Sequence, residues 1–72
     1  MADSYGKQLG TRLRAVREAL KLDRDEASAR TGGKVPPVML KHWEYGTRQM
    51  NADQLAILGA AYGVAAADLV PR

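Results

Sequence analysis

Of the eleven Lys and Arg in the sequence, all but Arg72 lie at or before Arg48. The side chains able to neutralise an anion are therefore gathered in the first two thirds of the chain. Against eight Asp and Glu they leave a formal net charge of +3 and a pI near 9.6, a balance that favours an anionic partner where the charge is unevenly spread, as it is here. Other chemistry is poorly supplied. There is no Cys, and His42 is the sole histidine, so disulfides, thiolate metal ligands and a Cys–His nucleophile are excluded, and neither a metal nor a cofactor is expected. Asp23, Glu26 and Asp53 fall at helix starts, where capping accounts for them without catalysis. With 72 residues the chain makes one domain with a single modest core and no two-lobed cleft, so an enzyme is not expected.

The elements that must position these cations are all helical. Leu9, Leu13, Val16 and Leu20 recur at steps of four, three and four, which predicts a first helix from about Tyr5 to Leu20 with Ser4 as its N-cap. Asp23 and Glu26 form a capping box that starts a second helix, which ends near Thr31 at Gly32-Gly33. Pro36-Pro37 suits the first positions of a third helix, where a missing N–H costs nothing, and Gly46 closes it, with Leu40 and Trp43 facing inward. Asn51 and Gln54 mark a fourth start, and Leu55, Leu58, Ala61 and Tyr62 make its apolar face up to Gly63. A short turn from Ala66 to Val70 returns Leu69 to the core. No segment alternates with the period of a strand. The expected fold is all-α, a compact five-helix bundle over residues 1–72.

A short helix, a glycine turn and a second short helix ending in Gly, over about residues 23–46, is the arrangement that projects one helix from a globular surface into the major groove of DNA. Leu9-Gly10-x-Arg12-Leu13-Arg14-x-x-Arg17-Glu18 resembles the opening helix of the Cro/C1-type (XRE family) helix-turn-helix regulators. The resemblance continues through Leu22, Gly32, Trp43-Glu44-Tyr45-Gly46-x-Arg48, Leu55-x-x-Leu58 and Tyr62-Gly63-Val64, and so spans nearly the whole chain. Within that family, Tyr5-x-Lys7-Gln8-Leu9-Gly10, Gly33-Lys34 and Leu69-Val70-Pro71 resemble the N-terminal DNA-binding domain of BldD-type developmental regulators. The resemblance implies a lambda-repressor-like DNA-binding fold and a transcriptional regulator. BldD-type regulators also carry a C-terminal domain for dimerisation and ligand control, which has no counterpart in these residues, so a fragment or a stand-alone relative is implied. The chain departs from the broader family in three places. Its turn, Gly32-Gly33-Lys34-Val35, is two residues longer than usual. Ala27-Ser28 replaces a Leu-Ala pair and is expected to loosen the second helix. Tyr45 stands where an Arg is common.

On this reading the outer face of the third helix meets base edges through Pro37, Val38, Lys41 and His42, with Val38 and the prolines offering only apolar contact. Arg24, at the N-terminal turn of the second helix, grips phosphate, as do Arg48 beyond the third helix and Lys34 in the turn. Arg14 and Arg17 are read as a solvated face with local partners such as Glu18. Glu44 sits near a helix C-terminus, where the dipole disfavours a carboxylate, so an arginine such as Arg12 or Arg48 is expected to hold it. Glu44 and Trp43 are thus structural. The expected partner is double-stranded DNA, in the form of a palindromic operator bound by a homodimer, with repression the expected outcome. The rival reading is a protein-interaction module of the same fold, antitoxin-like or sigma-factor-binding. With no bilayer-spanning run, no secretory signal and no cysteine, the chain is read as cytoplasmic, with no membrane partner and no small-molecule site.

Overall fold

The computed structural model describes residues 5–71, so the expected cap at Ser4 lies outside the described residues. Five helices follow one another, α1 (Tyr5–Ala19), α2 (Arg24–Arg30), α3 (Pro37–Tyr45), α4 (Ala52–Tyr62) and α5 (Ala66–Leu69), with no strand among the described residues. Their core is Leu9, Leu13, Ala27, Val35, Leu40, Trp43, Leu58, Tyr62 and Leu69. Leu13, Leu40, Leu58 and Leu69 are each essentially sealed from solvent, and burial on that scale contributes about 1.5–3 kcal/mol per side chain.

α1 departs from its expected face at the last turn. Leu20, expected inside, is 39% exposed. The cause is a chain reversal at Lys21, whose φ is +59°. The Leu22 N–H donates to the Arg17 carbonyl at 3.2 Å and the Lys21 N–H to the Glu18 carbonyl at 2.9 Å, the pair of bonds that closes a helix around a left-handed residue. Leu22 is thereby folded back against the core in place of Leu20.

α2 is opened by the expected capping box, with the Glu26 N–H on Asp23 Oδ1 at 2.7 Å and the Asp23 N–H on Glu26 Oε1 at 3.0 Å. Contrary to expectation, Ala27-Ser28 does not loosen it. Ala27 is completely buried. Ser28 Oγ donates to the Val35 carbonyl at 2.5 Å, while Thr31 Oγ1 donates to the Ser28 carbonyl at 2.6 Å and accepts the Val35 N–H at 3.1 Å. The small residues let the chain pack close, and the two hydroxyls tie the long turn to the end of α2. Gly32 and Gly33 both hold positive φ, +70° and +79°, which only glycine adopts freely. The turn delivers Val35 into the core and Pro36 to the N-cap of α3, with Pro37 as its first residue.

α3 lies chiefly across α1. At the crossing, a Cβ on Gly10 would stand 2.4 Å from the Glu44 carbonyl oxygen and 2.5 Å from that of Trp43, so the two backbones are in direct contact there. α4 carries the Asn51–Gln54 capping box, closes at Gly63, and buries Leu58, Gly59 and Tyr62. Arg12 pins α1 to α5 by donating from Nε to the Asp68 carbonyl at 2.7 Å. No helix among the described residues is long and apolar enough to cross a membrane.

Candidate nucleic-acid interface

Glu44 organises the surface from which α3 projects. Its carboxylate is buried and accepts from Arg17, Nε to Oε2 at 2.6 Å and Nη2 to Oε1 at 3.0 Å, in a two-pronged pair with Arg17 Nη1 donating to the Leu22 carbonyl at 2.8 Å. Arg24 adds a second cation, with Nε and Nη2 each 3.2 Å from Glu44 Oε1. The expectation that Arg12 or Arg48 would hold Glu44 is thus corrected. Arg12 is engaged with α5, and the partners come from α1 and the start of α2. Arg17 likewise is not part of a solvated face. It follows Leu9 and Leu13 at steps of four, so the helix carries it inward to meet the only acid of α3. The hydrogen bond to Glu44 raises its pKa, overriding the burial that opposes it, so the guanidinium stays charged. One carboxylate binds three helices. Arg14, by contrast, pairs with Glu18 across one turn at 3.2 Å with both side chains largely solvated, as expected of a surface pair.

The outward stripe of α3 is Val38, Lys41 and Tyr45, with His42 half-buried at its edge. Val38 is 58% and Tyr45 50% exposed, while Met39, Leu40 and Trp43 turn toward the core. Pro37 stands half-buried at the head of the helix. The Arg24 guanidinium lies 5.5 Å from the centroid of the Tyr45 ring, close enough for a cation–π contact. Its side chain is 30% exposed, so the guanidinium is held by Glu44 and Tyr45 while part of it faces solvent at the N-terminus of α2. Lys34 and Arg48 are exposed and lie in the loops that precede and follow α3. His42 Nδ1 is 3.0 Å from Thr47 Oγ1.

The expected residues are therefore gathered around α3, four of them on the helix itself and three around its flanks. Sequence reasoning missed Arg17, Tyr45 and Thr47. The four-residue spacing from Leu13 was a usable signal for Arg17. For Tyr45, its place four beyond Lys41 and seven beyond Val38 offered nothing beyond exposure, and Thr47 lies past the helix end, where periodicity is silent.

Beneath this surface the Tyr62 hydroxyl and the Trp43 indole N–H are buried without hydrogen-bond partners. Burial, aided by the nearby Glu44 charge and opposed by Arg17, pushes the Tyr62 phenol up to about 12.

The helix-turn-helix family profile matches residues 13–69 of the chain. No curated protein sequence matches it. Among solved structures, the crystal structure of the DNA-binding domain of BldD is 34% identical, with a TM-score of 0.86 over 99% of this chain and 100% of that one. The S. venezulae BldD DNA-binding domain is 33% identical, also with a TM-score of 0.86, over 96% of this chain and 100% of that one.

Proposed function

The chain belongs to the Cro/C1-type helix-turn-helix family, and from that premise we propose that it binds double-stranded DNA as a transcriptional regulator, placing α3 in the major groove. The observation that carries this reading is the setting of α3. Its outer face is exposed, its inner face is clamped through Glu44, and cations stand on both sides of it. Arg24, Lys34 and Arg48 grip phosphates, where each neutralised charge releases a counterion and adds sequence-independent affinity. Pro37, Val38, Lys41 and His42 meet base edges, with Val38 suited to a thymine methyl and Lys41 to guanine. The protein acts as a repressor by occupying promoter DNA. As such motifs generally do, it binds as a homodimer on a palindromic operator with half-sites about 34 Å apart.

Salt tests the reading. Titrating duplex DNA over a range of salt concentrations is expected to give a steep loss of affinity with ionic strength. Arg48→Ala and Lys34→Ala are each expected to weaken binding to every sequence and to reduce the logarithmic salt slope by about one. Unchanged affinity of both variants at low salt would remove the DNA reading. The exposed Val38 and Tyr45 favour the rival, a protein-interaction module, and that outcome would leave it standing.

A further inference from the structure

The last carbonyls of a helix need donors from its end and beyond it, and that of His42 in α3, which accepts the N–H of the Gly46 C-cap, draws on Thr47 as well. It accepts the Thr47 backbone N–H at 2.9 Å and Thr47 Oγ1 stands 3.1 Å from it. The same Oγ1 stands 3.0 Å from His42 Nδ1. A threonine hydroxyl has a single proton. Directed at the ring nitrogen, it would leave two oxygens facing each other at 3.1 Å with no proton between them. Directed at the carbonyl, it presents a lone pair to the ring, and Nδ1–H completes the set by donating. No other partner engages the ring among the described residues, and in that arrangement Nε2 carries no proton and is left to accept.

We propose that Thr47 fixes the neutral His42 ring in its Nδ1–H form, so that Nε2 reads DNA as a hydrogen-bond acceptor and selects a base with an exocyclic amine. In the major groove the amines are adenine N6 and cytosine N4, whereas guanine and thymine present acceptors at the corresponding edge. Thr47 is a positioning residue that acts through His42. The inference rests on the DNA reading for its ligand, but the state of the ring is independent of it.

Two measurements test it on the full chain. Long-range proton–nitrogen correlation spectra at about pH 8, where a free imidazole is neutral, are expected to show His42 protonated at Nδ1 in the parent and in Thr47→Ser. In Thr47→Val the ring is expected to shift toward the Nε2–H form. Selection from randomised duplexes is expected to reveal one position at which the parent and Thr47→Ser prefer adenine or cytosine, a preference that falls about tenfold in Thr47→Val, within the range of a good base contact. A parent ring protonated at Nε2, or a base preference identical in Thr47→Val and the parent, would overturn the inference while leaving DNA binding intact. Failure of the parent to bind any duplex would overturn the DNA reading and, with it, the role assigned to Nε2.

Discussion

Glu44 accepts from two arginines while its own side chain is only 1% exposed, and its removal strands a charge. Glu44→Ala is expected to destabilise the protein by about 3–5 kcal/mol, because Arg17 stays buried without its counterion. For a domain of this size that is most of the available stability, so far-UV circular dichroism would show a largely unfolded population at room temperature. The double replacement Arg17→Met with Glu44→Leu is expected to lose far less than Glu44→Ala alone. Tyr62 presents the converse case. Its hydroxyl is buried and unpartnered, so Tyr62→Phe is expected to be neutral or to gain about 1 kcal/mol in urea unfolding. The phenol also sets an alkaline limit. With its folded pKa raised from 10.0 to about 12, the unfolded state releases its proton first, so stability is intact below pH 10 and declines as pH rises toward 12. The loss reaches up to about 3 kcal/mol, and Tyr62→Phe is expected to flatten that decline in unfolding free energies measured across the window. At this scale the sequence disclosed the need for a partner to Glu44 but not its identity. Charge and dipole arguments require a cation, whereas choosing among the seven arginines of the sequence requires knowing how α1 is rotated against α3.

That rotation is set at Gly10, where the α1 backbone touches the carbonyls of Trp43 and Glu44. A methyl there meets backbone, which cannot swing aside, so α3 would have to shift. Alanine normally gains about 1 kcal/mol over glycine inside a helix, but overpacking costs about 1–3 kcal/mol or more. Gly10→Ala is therefore expected to lower stability by about 2 kcal/mol in urea unfolding, with a matching fall in thermal midpoint. Helix starts and stops were legible because their causes are local. The two capping boxes, Pro37 at the head of α3 and the closing glycines Gly46 and Gly63 all act within a few residues. The end of α1 was not legible. Lys21 takes a left-handed conformation that lysine does not advertise, and so the apolar contact passed from Leu20 to Leu22. Similarly, Ala27-Ser28 read as a weak pair because its compensation, hydrogen bonding to Val35 seven residues beyond Ser28, is made by the folded turn.

The five helices enclose one core with a radius of gyration of 11.0 Å, and the order of elements along the chain, their type and their shared core all followed from apolar spacing and caps. The residues of the candidate interface were legible as a set, since a cation in each flanking loop and an exposed helix face depend only on where α3 begins and ends. What each contributes was less so, since Arg24 turned out to be shared between Glu44, the Tyr45 ring and solvent. The Arg17–Glu44–Arg24 cluster also bears on motion. A helix that peels away on its own must pass through states in which its buried charges are separated but not yet hydrated, and α3 is bound by such charges to both α1 and α2. Its local opening is thereby suppressed. In native-state hydrogen exchange, the amides of Leu40, Trp43 and Glu44 are expected to exchange only through global unfolding, with the same opening free energy as Leu13, whereas α5, four residues long and without a side-chain cap, exchanges through local fraying. Exchange of the α3 amides orders of magnitude faster than that of Leu13 would contradict this. The helix proposed to enter DNA is then as rigid as the core itself, so the ordering cost that a mobile recognition segment meets on binding has already been met in folding.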